Sequence, residues 1–318
     1  MIQIPCFNEE ETLPITIGDI PKFFDGVDEV ELLVIDDGST DKTVEVARSL
    51  GVHHIVRLTK NKGLAESFTA GIDACLRLGA DIIVNTDGDN QYCGEDIQKL
   101  IDPILAGEAD VVIGNRQVAE IRHFSFVKKR LQFFGSWVVR QLSGTQIPDT
   151  TSGFRAFSRD AALRMNVISK FSYTLETIIQ AGKKNIVMSH VPIRTNKQLR
   201  PSRLFSGMFS YIKRSMATIL RIWALYEPLK MFLYMGSVVF GTGFLIAGRF
   251  LYFYLSGQGG GHIQSLILSS VLMIVGFQII MIGLLADIIS ANRRLIEETL
   301  YRLKKMELDS DGPSKSQK

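Results

Sequence analysis

"VELLVIDDGSTDKTVEVARSLGVHHIVRLT", residues 30–59, decides the fold. An apolar run ends abruptly in Asp36 and Asp37. Gly38 marks a turn, and Ser39 or Thr40 can cap the helical pattern that follows until Gly51 stops it. A second strand-like run, "HHIVRLT" (53–59), comes next. Strand, helix and strand in thirty residues make a βαβ unit with parallel strands.

The same alternation extends both ways. "MIQIP" (1–5) reads as a strand, and "NEEETLPITIGDIPKFF" (8–24) as a helix with Asn8 and Glu11 at capping-box spacing. Downstream, "GLAESFTAGIDACLRLG" (63–79) and "GEDIQKLIDPILAG" (94–107) read as helices, "DIIVNTD" (81–87) and "DVVIGNR" (110–116) as strands. The expected fold class is α/β, a mostly parallel sheet covered by helices on both faces. Ligands of such sheets bind beyond the carboxyl ends of the strands.

Four strand exits carry polar groups: Asn8 and Glu9, Asp36 and Asp37, Asp87 and Asp89, Asn115 and Arg116. Each alone is a plausible turn, but together they line one rim. Asp87 and Asp89, two apart after a buried strand, repel each other. A hard divalent cation, Mg²⁺ or Mn²⁺, removes that repulsion and carries a diphosphate in turn. The chain lacks a Walker loop, a GxGxxG after the first strand, an HExxH and a Cys/His cluster. That argues against a P-loop kinase, a dinucleotide oxidoreductase and a zinc enzyme. Nothing points to nucleic acid. His53 and His54 lie in or beside a strand, where a structural role is expected.

Net charge is +3, and the three cysteines, Cys6, Cys75 and Cys93, lack metal-ligand spacing, which suits a reducing compartment. The first residues already read as a strand, so no leader peptide is expected. Residues 229–255 and 263–289 are nearly all apolar, and each run exceeds the roughly 20 residues of a membrane-spanning helix. Lys213, Arg214, Arg221 and Lys230 precede the first; Arg293, Arg294, Arg302, Lys304 and Lys305 follow the second. The positive-inside rule then puts both termini and the α/β domain in the cytoplasm, on the inner membrane. Residues 203–226 mix apolar and basic residues, with Trp223 and Tyr226 near their end, as an amphipathic helix on the bilayer would. The expected domains are 1–202 (catalytic), 203–228 (interfacial helices), 229–290 (two spans) and 291–318 (a cytoplasmic helix and disordered tail). Span faces and the terminal helix offer surfaces for a homo-oligomer.

"IPCFNEEETL", "VIDDGSTDKT", "NKGLAESFTAGI", "NTDGDNQY", "VIGNR" and "DTTSGFRAFSR" occur in that order over residues 2 to about 205. They resemble the successive motifs of family 2 glycosyltransferases, in the branch acting on polyprenyl phosphates. The two-span hairpin resembles the bacterial undecaprenyl-phosphate glucosyltransferase type. The resemblance implies a glycosyltransferase A-type fold and a nucleotide-diphosphate sugar donor. It places Pro5, Phe7, Asn8 and Glu9 at the base and ribose, Asp36 facing the base and Asp37 nearby. Asp87 would lie near ribose or metal, while Asp89 and Gln91 would contact metal and diphosphate. The implied acceptor, a lipid phosphate, is already largely dianionic near neutral pH and needs positioning more than a base. Arg116, Arg155, Arg194, Arg200 and Arg203 are the candidate phosphate ligands, with Arg116 also on the donor side and Arg200 counted as catalytic with Asp89 and Asp149. Asp149 would orient the acceptor, take a proton or hold an arginine; Gly153 would permit a tight backbone approach; residues 194–203 would form a lid.

The expected function is inverting transfer of a hexose, glucose from UDP-glucose, to undecaprenyl phosphate. The nearest rivals use GDP-mannose or a modified UDP-pentose. A processive synthase is disfavoured because Q-x-x-R-W is absent and two spans are few. A non-catalytic sugar-nucleotide sensor would release no nucleotide.

Overall fold

Seven strands form one sheet in the order β3-β2-β1-β4-β6-β5-β7. They are β1 (Ile2–Cys6), β2 (Leu32–Asp36), β3 (His54–Arg57), β4 (Ile82–Asn85), β5 (Val111–Asn115), β6 (Arg155–Ser158) and β7 (Met188–Pro192). The computed structural model describes residues 1–117, 139, 140, 143–168, 173–197, 217, 220, 221, 223–257 and 263–310. The chain falls into two units, Met1–Ile219 with Leu300–Lys318, and Leu220–Thr299.

The β1, β2, β3 and β4 neighbours pair in parallel, as the alternation implies. β6 enters antiparallel between β4 and β5, and β7 returns parallel to β5. Ile4, Leu33, Val34, Ile35 and Ile83 are fully buried, each stabilising the fold by about 2 kcal/mol. Helix α3 (Leu64–Arg77) buries Ala65, Phe68, Ile72, Cys75 and Leu76, a helical stripe that lies on β1 and β2. Helices α2 (Thr43–Ser49), α4 (Ile97–Leu105), α5 (Arg159–Arg164) and α6 (Tyr173–Lys183) complete the layers.

The first helix departs from expectation. Helix α1 covers only Leu13–Asp19, and Asn8 is no cap: its φ is 56°, left-handed, and its side chain accepts from Thr40. Pro14 is suited to the first helical turn, and Pro21 forbids continuation.

Sheet order reverses between β1 and β4. The β1–β4 ladder runs Met1 N to Ile82 O, Val84 N to Met1 O and Thr86 N to Gln3 O. The next donor on that edge would be residue 5, and Pro5 has no N–H. Pairing therefore stops at Gln3, while β1 and β2 stay paired to Cys6 and Asp36. The sheet parts at its topological switch point, where α/β folds hold ligands.

In the second unit, α7 (Pro228–Leu255) and the first part of α8 (Ile263–Ser310) are long and apolar enough to cross a membrane. Their buried positions recur every seven residues: Gly236 and Gly243 on α7; Ser269, Gly276, Gly283 and Ser290 on α8. A Cβ on Gly276 would lie 2.5 Å from Phe240 N, so the helices meet backbone to backbone. A separate terminal helix from 291 was expected. Instead α8 is one helix of 48 residues, because nothing after Gly283 breaks it.

Candidate functional site

On the β1 and β2 side of the parting, Gly38 takes φ +70°, and a Cβ there would meet the Lys60 backbone at 2.5 Å. The turn fits glycine alone and places Asp36 and Asp37 at the end of β2. Asp37 accepts from Lys62 N (2.8 Å) and Gly63 N (2.9 Å), holding the entry to α3. Asp36 Oδ1 accepts from Ser39 N (2.9 Å); Oδ2 is buried 3.2 Å from Arg57 Nε and accepts no hydrogen bond among the described residues. Asn8 N donates to Ser39 Oγ, and Glu9 N to Thr43 Oγ1. Pro5 is buried and Phe7 half-buried at the end of β1. Of the expected donor residues, Pro5, Phe7, Asn8, Glu9 and Asp36 line the parting, whereas both oxygens of Asp37 already serve loop structure.

On the β4 side the chain turns through Gly88 and Asn90, the latter at φ 55°. Gly88 O accepts from Thr16 Oγ1 (3.0 Å), and Gln91 N donates to Asp89 Oδ1 (3.3 Å). Burial, and then the charge of Asp89, push the Asp87 carboxyl up to about 7, against the pull of Arg116. Gly153 leaves space over this carboxylate: a Cβ there would lie 3.0 Å from Asp87 Oδ2. No cluster of three or more His, Cys, Asp or Glu with metal-binding geometry exists among the described residues. Mg²⁺ and Mn²⁺ need less, since one or two carboxylates suffice when substrate phosphates and water complete the shell. Two mutually repelling carboxylates with hard oxygen donors fit such an ion. Asp87 and Asp89 would hold it, with the Gln91 amide beside them.

Beyond β4, at the end of β5, the site is cationic but already matched. Arg116 donates from Nε to Asp149 Oδ2 (2.7 Å) and from Nη2 to Asp149 Oδ1 (2.9 Å) and Thr151 Oγ1 (2.7 Å). Burial would raise the Asp149 pKa, but Arg116 and its hydrogen bonds outweigh that and hold the carboxyl below its usual range. The same pairing overcomes burial and raises Arg116. Asp149 is 2% exposed with both oxygens engaged, so of its three expected roles the geometry matches holding an arginine. Among the described residues, Nη1 of Arg116 makes no hydrogen bond and is the edge left for a substrate oxygen.

Two expected phosphate ligands are used otherwise. Arg155 is fully buried and donates to Ser152 O, Thr174 O, Thr150 O and Thr177 Oγ1. Burial pulls its pKa down to about 10. It ties β6 to α6 and has no open side for a lipid phosphate. Arg194 closes on Asp96 (2.9 Å) and Glu95 (2.9 Å), fastening the chain after β7 to the segment after Asp89. Arg200 and Arg203, and the lid beyond Lys197, lie outside the described residues, as do Lys213, Arg214 and most of 203–226.

The sequence reading missed a buried polar circuit behind the site. Gln3 Nε2 donates to Asn85 Oδ1 (2.9 Å), and Asn85 Nδ2 to Gly153 O (2.9 Å) and Tyr173 Oη (2.9 Å). Gly153 N donates to Tyr92 Oη (3.0 Å), whose hydroxyl also bonds Asp87. Gln3 and Asn85, polar residues inside apolar strand runs, were the available signal.

Residues 1–164 match the family described as "Glycosyl transferase family 2". A polyprenol monophosphomannose synthase of Mycolicibacterium smegmatis is 30% identical over 64% of this chain and 80% of its own. Glycosyltransferase AglJ of Haloferax volcanii is 28% identical over 96% of this chain and 97% of its own, so that likeness includes the helical unit. A glucosyl-3-phosphoglycerate synthase from Mycobacterium tuberculosis, solved with Mn²⁺, UDP and phosphoglyceric acid, superposes with TM-score 0.52 at 20% identity, over 69% of this chain and 77% of that one. That last likeness bears on the fold.

Proposed function

Since the chain belongs to glycosyl transferase family 2, we propose that it transfers a hexose, glucose from UDP-glucose, to a polyprenyl phosphate at the cytoplasmic face of a membrane. The observation that carries this is the parting of β1 from β4, with Asp87 and Asp89 at the end of β4 and the guanidinium of Arg116 on the same side of it, at the end of β5. Support for a polyprenyl phosphate comes from the relative named polyprenol monophosphomannose synthase and from the two apolar helices. That relative's name also favours a second donor, GDP-mannose. UDP-glucose is preferred for the two-helix hairpin, whose pattern resembles the glucosyltransferase type.

In this reading Asp36 Oδ2, which accepts no hydrogen bond among the described residues and is ion-paired with Arg57, accepts from the nucleobase, and Phe7 and Pro5 form an apolar wall beside it. A Mg²⁺ or Mn²⁺ on Asp87 and Asp89 would neutralise the departing diphosphate. Arg116 Nη1 draws in the acceptor phosphate, and Asp149 keeps that guanidinium oriented and charged. An acceptor oxygen, already ionised, attacks the anomeric carbon from the face opposite the leaving group, which inverts the configuration. No side-chain base is needed, consistent with an Asp149 whose proton affinity is lowered.

The test is nucleotide release by the full chain in lipid nanodiscs with a panel of UDP- and GDP-sugars. Release stimulated by polyprenyl phosphate and stopped by EDTA is expected, with UDP-glucose fastest. Polymer would indicate a processive synthase, and absence of release from every donor would sink the enzymatic reading.

A further inference from the structure

The acidic turn after β4 and the loop before β6 are joined by one side chain. Tyr92 follows the acidic turn, and its ring stacks on Phe154 at 4.9 Å and 5°. Its main chain is pinned as well: Tyr92 forms an antiparallel bridge to Thr195, and its carbonyl accepts from Asn196 Nδ2 (3.2 Å). The ring therefore has little freedom to swing. A phenol offers one proton and two lone pairs. Gly153 N–H donates to it (3.0 Å), so its own proton is directed to Asp87.

Gly153 is held from the other side too, its carbonyl accepting from Asn85 Nδ2 (2.9 Å) and Tyr173 Oη (3.3 Å). The links close on themselves: Asn85 to Gly153, Gly153 to Tyr92, Tyr92 to Asp87, and Asp87 by two residues of chain back to Asn85. Gly153 is required by space, since a Cβ would meet Asp87 and the Tyr173 hydroxyl at 3.0 Å each. From Gly153 the chain runs back through Ser152 and Thr151, a partner of Arg116, to Asp149. One frame thus carries the Asp87 carboxylate and the Arg116 guanidinium.

We propose that Tyr92 is a positioning residue, fixing Asp87 against the 149–153 loop so that the diphosphate site and Arg116 keep a set separation. This rests on the reading of Asp87 and Asp89 as a cation-diphosphate site.

Tyr92→Phe keeps the ring and its stack and deletes only the hydroxyl. In the full chain, UDP and, in parallel, GDP are titrated calorimetrically with and without Mn²⁺. The expected result is metal-free binding like that of the wild type and a melting temperature lowered by a few degrees, since the buried Gly153 N–H loses its acceptor, with metal-dependent nucleotide binding weakened about 10- to 100-fold. Gly153→Ala, which crowds Asp87 directly, should give a larger loss of the same kind. Wild-type metal-dependent binding by Tyr92→Phe overturns the proposal. So does an equal loss of metal-free binding, which would mark the hydroxyl as structural. If the wild type binds neither nucleotide more tightly with Mn²⁺, the cation-site reading itself fails.

Discussion

At the end of β4, Asp87 sits beside Asp89 and its carboxyl is pushed up by burial and by that neighbour. Next to Arg116, Asp149 is buried too yet held low, because Arg116 grips both its oxygens. The two acids share a rim, and burial acts on both in the same direction. Partnership makes the difference. The first site gathers two carboxylates within three residues and is suited to receive a cation. The second is already matched and is suited to hold a guanidinium still.

The strongest way to break this comparison is Asp89→Ala. If the acidic turn holds a metal ion, transfer should fall by about 10³-fold, since Lewis-acid stabilisation of a leaving group is worth several kcal/mol. The fold should survive, because removing one of two repelling charges relieves strain. Turnover within a few-fold of wild type, measured with saturating donor, would place the cation elsewhere.

Asp149→Asn should do the reverse, damaging stability first. Arg116 would be left buried beside a neutral amide, a loss of about 3–5 kcal/mol. The sign of the pH effect follows from the lowered Asp149 pKa. Stabilisation is fully present above the unfolded carboxylate pKa of about 3.9 and is lost as pH falls through the lower folded value. The gap in melting temperature between wild type and Asp149→Asn should stay constant from about pH 5 to 8 and close below about pH 4. A gap that widens in acid would contradict the pairing.

Arg155→Met sharpens the distinction between a guanidinium that meets substrate and one that meets backbone. It strands three buried carbonyls, so stability should drop by about 3 kcal/mol. KM for the lipid acceptor should hold in the fraction that stays folded. A raised acceptor KM without thermal destabilisation would restore Arg155 to the acceptor side.

How far the sequence could be read follows the same division. The βαβ alternation and the acidic turn were legible, because local apolar periodicity and turn residues write them directly. Antiparallel β6 was not, since "RAFS" acquires its place only by pairing with β4 and β5. The role of Arg155 was hidden for a related reason. An arginine two residues after a glycine looks the same in sequence whether it faces a cleft or four groups of its own fold. Tyr92 went unnoticed because its hydroxyl has meaning only once Gly153, 61 residues away, is brought to it.

Arg194 supplies the smallest and most discriminating test. Its side chain is 57% exposed, and its partners divide: Glu95 is exposed too, but the Asp96 side chain is fully buried. In Arg194→Ala, Asp96 would keep the backbone N–H of residue 194 (2.6 Å) and Lys99 (2.9 Å), so it would not be stranded as Arg116 is when Asp149 is neutralised. Water replaces the lost contacts of an exposed pair, and the melting temperature should move by no more than about 2 °C. Acceptor KM should stay within about twofold, because the guanidinium is turned to the acidic segment after the turn. A large rise in acceptor KM with an unchanged melting temperature would show that Arg194 leaves Asp96 when the lipid phosphate arrives. The cleft would then have a second mobile cation, and the contrast between a waiting acidic turn and a matched basic site would no longer hold.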